Sequence, residues 1–132
     1  MMWLIAEDDG DIRMLIQTLT TVWGYQSLVF DSGQHVWEWL DEVESGQYTG
    51  PMPDFALMDI RMPGKKGNEV ADRIRTVTPL QHIPVVLMTA FALNQQQKDN
   101  MLKDGADEII YKPLPDFDQL HKVLHEVIQN KN

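Results

Sequence analysis

Short apolar runs alternate with amphipathic stretches five times along the chain, and this alternation restricts the fold more than any single motif. Trp3-Leu4-Ile5-Ala6 is a first strand-like run, halted by the acids Glu7-Asp8-Asp9. Ile12, Leu15, Ile16, Leu19 and Trp23 recur at helical spacing, so residues 10–23 read as an amphipathic helix, with Gly24 in the usual terminating position. Ser27 to Phe30 is a second strand, and Ser32-Gly33 opens a helix with the stripe Val36, Leu40 and Val43. A loop rich in glycine and proline leads to Phe55-Ala56-Leu57-Met58, apolar on both faces as strands inside covered parallel sheets are. Val70, Ala71, Ile74 and Val77 mark a third helix, and Pro84 to Met88 a fourth, deeply apolar strand. Residues 94–104 read as a helix anchored mainly by Met101 and Leu102. Glu108 to Tyr111 is a fifth strand, followed by a helix striped with Phe117, Leu120, Leu124 and Ile128.

Such a repeat predicts an α/β fold: one doubly wound (βα)5 flavodoxin-like domain with helices on both faces of a five-stranded parallel sheet of order 2-1-3-4-5. At 132 residues there is room for one core. Twenty acids against eleven bases leave a net charge of -9, which disfavours nucleic acid or an anionic membrane as a partner. The absence of cysteine removes disulfides, thiolate metal sites and a cysteine nucleophile, and fits a reducing compartment. No run is long and apolar enough to span a bilayer, and no signal peptide is visible.

In this topology a ligand sits beyond the carboxyl ends of the strands, where strands 1 and 3 diverge. Strand 1 ends in Glu7-Asp8-Asp9, strand 3 in Asp59, strand 4 in Thr89 and strand 5 in Lys112; Asp31-Ser32, after edge strand 2, lies outside. Converging carboxylates either take up protons or hold a cation, and an all-oxygen set suits Mg²⁺. A carboxylate can attack a phosphoryl group, whose transfer state a metal, an ammonium and a hydroxyl stabilise. Taken singly, the early acids are helix caps, Asp59 a turn residue, Thr89 a cap and Lys112 a solvated cation. One shared site explains four strand ends at once.

The motifs Ile5-Ala6-Glu7-Asp8-Asp9 with Ile12-Arg13, Leu57-Met58-Asp59-Ile60-Arg61-Met62-Pro63 with Gly67, Leu87-Met88-Thr89-Ala90, and Gly105-Ala106-Asp107 leading to Lys112-Pro113 occur in order across nearly the whole chain. In these the sequence resembles a response-regulator receiver domain of the CheY-like family. The resemblance implies a two-component phosphorelay in which Asp59 accepts a phosphoryl group from a histidine-kinase phosphohistidine in a Mg²⁺-dependent reaction. It implies Asp8 as a direct metal ligand, Glu7 acting through water, Asp9 as a further candidate, and Arg61 giving its backbone carbonyl. Thr89 would move toward the phosphoryl group, Lys112 would pair with it, and Lys112-Pro113 would be cis. The family often carries an aromatic switch residue where Ile109 stands here. Tyr111, on the same face of that strand, and Phe91 are the candidates to replace it, and helix 4 is expected to move by a different lever.

By the same resemblance residues 1–132 form a receiver domain with no output domain in the chain, cytoplasmic, and not an enzyme beyond accepting and slowly hydrolysing the acyl phosphate. Its partners would be a sensor histidine kinase or phosphotransfer protein, and an output domain or target on the helix 4–strand 5–helix 5 face, with a homodimer through that face on phosphorylation; neither nucleic acid nor membrane is expected. A haloacid-dehalogenase-like phosphatase fits poorly, because its nucleophile ends strand 1. An FMN carrier would need a Ser/Thr/Gly phosphate loop where this chain is acidic. A receiver-like module that only binds remains an alternative reading. Two details complete the expectations: Trp37 and Trp39 cannot both face the core, and His121 and His125 read as a helical surface without a third metal ligand.

Overall fold

The computed structural model describes residues 1–131. Strands β1 (Met2–Ala6), β2 (Gln26–Phe30), β3 (Phe55–Asp59), β4 (Val85–Thr89) and β5 (Glu108–Tyr111) alternate with helices α1 (Gly10–Val22), α2 (Gly33–Ser45), α3 (Gly67–Ile74), α4 (Gln95–Asp104) and α5 (Phe117–Lys131). All strand pairs are parallel, in the order β2-β1-β3-β4-β5. This is the doubly wound fold the alternation predicts.

Side chains two residues apart on a strand share a face, and both faces are covered. Leu4, Ala6, Ala56, Met58, Val85, Leu87 and Ile109 pack with α2 and α3, whereas Trp3, Ile5, Phe55, Leu57, Val86, Met88 and Ile110 pack with α1 and α5. Every residue of β3 and β4 is buried, which explains their continuous apolar runs. Trp39 enters the core, while Trp37 stays half-buried with the Lys65 ammonium and the Arg73 guanidinium each 4.4 Å from its ring.

Two expectations need correction. Val77 is buried but lies beyond α3, which stops at Ile74 with Arg75 as its cap. The N–H groups of Thr76 and Val77 turn back to the carbonyls of Arg73 (2.8 Å) and Ile74 (3.2 Å), which closes the helix with a tight turn, and Val77 itself is extended ahead of a 3-10 turn over Thr78–Leu80. His121 and His125 form no plain surface. Their rings stack at 3.8 Å, and the His125 ring lies within 5.8 Å of the rings of Trp3, Trp23 and Tyr25. The His121 carbonyl accepts at His125 Nδ1 (2.7 Å), so that nitrogen carries the proton; Nε2 is then the acceptor for the Tyr25 hydroxyl, also at 2.7 Å. Burial holds the His125 imidazole below its ordinary pKa, against the opposing effect of its bond to the His121 carbonyl.

Candidate functional site

The parallel register sets Ala6 beside Met58, so the next residues, Glu7 and Asp59, emerge together at the divergence of α1 and α3. Glu7 keeps its backbone in the ladder, donating its N–H to the Phe30 carbonyl at 3.2 Å, and its side chain is wholly buried. Asp59 is buried at the end of β3, and the chain turns immediately after it. Ile60 N–H donates to the Met88 carbonyl and Gly67 N–H to the Ile60 carbonyl, each at 2.8 Å. A Cβ at Gly67 would lie 2.2 Å from the Asp59 carbonyl oxygen, so only glycine lets α3 begin this close to the strand end.

Carboxylate oxygens of Glu7, Asp8 and Asp59 lie within 4.8 Å of one another. Lys112 N–H donates to the Thr89 carbonyl (2.8 Å), which carries the end of β5 toward the crevice. Its Nζ donates to Glu7 Oε1 and, at 3.1 Å, to Asp59 Oδ2. Burial pushes the Glu7 pKa up to about 8, with the neighbouring Asp59 adding to the rise and Lys112 opposing it. Burial acts to lower the Lys112 pKa, but its bonds to Glu7 and Asp59 outweigh that and raise it. Glu7 Oε2 is buried without a hydrogen-bond partner, an arrangement that costs free energy unless a cation or proton satisfies it.

The remaining expected residues fall as follows. Asp9 is the N-cap of α1: its Oδ1 accepts from the N–H groups of Asp11 (2.9 Å) and Ile12 (3.1 Å), and it stands outside the three-carboxylate group. Arg61 sets its guanidinium 3.8 Å from the Phe91 ring centre. Thr89 is buried and accepts from the Phe91 N–H at 3.1 Å. Ile109 is buried in the core, Tyr111 is largely exposed, and the Lys112-Pro113 bond is cis. Three contacts at the site carry no sequence signal. Arg13 reaches back to donate to the Glu7 carbonyl at 2.8 Å, Phe91 stacks under Arg61, and Arg75 binds three loop carbonyls.

Acids gathered about a half-buried lysine, with a hydroxyl on the next strand, define a domain suited to taking a phosphoryl group on a carboxylate. The family model described as Response regulator receiver domain matches residues 3–125, and the chain belongs to that family. It is a receiver domain of two-component signalling, a family of phosphoacceptors and not of turnover enzymes. The chain is 32% identical over 130 residues to Hybrid signal transduction histidine kinase I of Dictyostelium discoideum, covering 97% of this chain and 7% of that protein. It is 33% identical over 125 residues to the transcriptional regulatory protein ZraR of Klebsiella oxytoca, covering 95% and 26%. It is 32% identical over 111 residues to the polar-differentiation response regulator DivK of Brucella ovis, covering 84% and 83%. The chain therefore spans a small part of the first two relatives and most of the third.

Solved structures show the same fold. One is a CheY-like receiver domain from Methanospirillum hungatei JF-1, with TM-score 0.76, 23% identity, and coverage of 98% of this chain and 94% of that one. Another is the receiver domain of a sensor histidine kinase from Pseudomonas aeruginosa PAO1, described with a magnesium ion coordinated in its active-site cleft. It has TM-score 0.77, 24% identity and coverage of 97% of each chain. No helix among the described residues is long and apolar enough to cross a membrane.

Proposed function

We propose that Asp59 is the phosphoacceptor and that residues 1–132 act as one switch between a phosphohistidine donor, on a sensor kinase or phosphotransfer protein, and an output partner. The observation that carries this reading is Lys112 Nζ set between Glu7 and Asp59, with Asp8 completing the three-carboxylate group. The donor set suits Mg²⁺: it is all oxygen, and Glu7 Oε2 is buried and unsatisfied. Glu7, Asp8 and Asp59 would hold the ion, with the Arg61 backbone carbonyl. Asp9, spent on the helix cap, is left out of this set. When bound, Mg²⁺ neutralises charge on the incoming phosphoryl oxygens.

An Asp59 carboxylate oxygen attacks phosphorus. The new P–O bond forms as the P–N bond to the donor histidine breaks, and the imidazole nitrogen keeps the electron pair. Lys112 holds Asp59 in position and brings positive charge to the equatorial oxygens. Thr89 supplies its hydroxyl hydrogen while its oxygen accepts from the Phe91 N–H. Slow hydrolysis of the acyl phosphate returns the domain to rest. The output partner, or a second copy, engages the α4–β5–α5 face, and the module works in the cytoplasm.

The test is intact mass after incubation with acetyl phosphate and Mg²⁺, beside an Asp59→Asn variant. A gain of one phosphoryl group that disappears in the variant and after chelation is expected. A gain retained by Asp59→Asn would move the acceptor elsewhere. No gain from acetyl phosphate or from a panel of phosphorylated histidine kinases would leave a module that acts by binding alone.

A further inference from the structure

Among the described residues, α4 is the one helix with no buried residue, although it is capped by Asn94 and Gln97 at its start. Its sequence, Gln95 to Asp104, is polar; its half-buried Met101 packs against the core, as does Leu93 just before the helix. Burial of an apolar stripe is what normally fixes a helix, so α4 must be held in some other way. Two arginines supply that hold, one at each end, and they differ in kind.

At the far end Arg75, the cap residue of α3, donates from Nε (3.0 Å) and Nη2 (2.6 Å) to the carbonyl of Gly105, the residue that closes α4. The same guanidinium binds the Gln81 and Ile83 carbonyls and Asp107 Oδ2. A Cβ at Gly105 would sit 2.8 Å from the Ala71 carbonyl oxygen, so this end of α4 lies tight against α3. At the near end the hold is a single stack. The Arg61 guanidinium covers the ring of Phe91, which is otherwise about half exposed. Arg61 follows the acceptor by two residues, and with Asp8 and Lys66 it lines a cavity of about 510 Å³ beside the carboxylates. The Phe91 N–H, meanwhile, is bound to the Thr89 hydroxyl.

From this arrangement we infer that Phe91, held between Arg61 and Thr89, is the latch that ties the first turns of α4 to the state of Asp59, and that the Arg75–Gly105 junction is the fixed pivot. The inference rests on Asp59 as acceptor for its trigger, but the latch itself belongs to the resting molecule. An exposed cation–π stack shifts an equilibrium by about two- to fivefold. A hydrogen bond to a charged group is worth roughly tenfold or more. A phosphoryl dianion on Asp59 therefore outcompetes the Phe91 ring for Arg61, while movement of the Thr89 hydroxyl draws on the Phe91 backbone. The near end of α4 opens and the far end stays. Ile109 needs no aromatic ring in this scheme, and Tyr111, already exposed, has no part in it.

The experiment is amide hydrogen exchange on the full chain with Phe91→Leu, which keeps the backbone N–H on Thr89 and most of the apolar bulk, and with Arg75→Met. In the resting protein Phe91→Leu is expected to speed exchange over residues 91–97 by about two- to fivefold and leave residues 101–106 unchanged. Arg75→Met is expected to speed exchange over residues 101–106. Unchanged exchange over 91–97 in Phe91→Leu, or equal opening of both ends in either variant, overturns the latch. A second arm adds acetyl phosphate and Mg²⁺ to the wild type, with mass measured on the same sample. Phosphorylation with faster exchange at 91–97 supports the coupling, and phosphorylation with none overturns it. Absence of any mass gain counts against the acceptor reading, while the resting comparison still decides the latch.

Discussion

Gly67→Ala is the substitution whose effect follows most directly from the geometry. The added Cβ would stand 2.2 Å from the Asp59 carbonyl oxygen, 2.9 Å from its carbonyl carbon and 3.1 Å from Ile60 Cα. All three are backbone atoms, so no rotamer change relieves the clash. Reaching ordinary contact at 3.4 Å requires a separation of about 1.2 Å between the start of α3 and the end of β3. Overpacking of this kind costs about 1–3 kcal/mol. Against it stands the gain from replacing a glycine with alanine, about 0.4–1 kcal/mol where the backbone conformation suits both. The clash is the larger effect, and a net loss of about 1–2 kcal/mol is expected in urea unfolding. The displacement falls on the acceptor itself, and a misplacement of about 1 Å can cost on the order of 10²-fold in rate. Phosphoryl uptake from acetyl phosphate, followed by intact mass without denaturant at a temperature well below the unfolding midpoint of both proteins, should slow accordingly. Gly10→Ala is the control: its nearest neighbour is the Arg13 side chain at 3.6 Å, so stability and uptake should hold. Wild-type stability and uptake in Gly67→Ala would refute the reasoning, because α3 could then yield without moving Asp59.

Two further outcomes follow from the charges. Lys112→Met removes the cation between Glu7 and Asp59, so uptake should fall below detection by mass while far-UV circular dichroism keeps the folded spectrum; uptake at the wild-type rate would show that the ammonium has no part in the transfer. His125, held below its ordinary pKa by burial, stays neutral in the folded chain and takes a proton more readily when unfolded. Its contribution to stability is therefore present above about pH 6.5 and lost as pH falls toward the depressed folded value. Urea midpoints should drop between about pH 7 and 5 in the wild type and drop less in His125→Phe, and parallel slopes would place the acid sensitivity elsewhere.

What could be read in the chain, and what could not, divides along physical lines. The sheet was legible because β1, β3 and β4 are buried on both faces, so each shows an unbroken apolar run. The acceptor region was legible because polar residues placed directly after such runs must emerge at the carboxyl end of the sheet. Glu7, Asp59, Thr89 and Lys112 all follow that rule, and parallel registry then brings Glu7, Asp59 and Lys112 together. Asp9 shows where position alone misleads. It belongs to the same acid cluster as Asp8, yet the start of a helix directly after it makes capping the stronger claim on its carboxylate.

The contacts that escaped notice are those made to backbone atoms or distant rings. Arg75 donates to the carbonyls of Gln81, Ile83 and Gly105, and a carbonyl is the same acceptor whatever residue bears it, so no pattern of side chains announces the contact. His125 finds Tyr25 one hundred positions away, across a crossover that only the finished topology defines. Arg61 and Phe91 meet because β3 and β4 are neighbours in the sheet and each sends a loop over the same crevice. Their pairing depends on both loops at once, and each loop read alone shows only a surface cation or a surface ring. The same dependence is what would suit such contacts to signalling: the stack lies between two loops that share the acceptor crevice, whereas the strands beneath it are buried along their whole length.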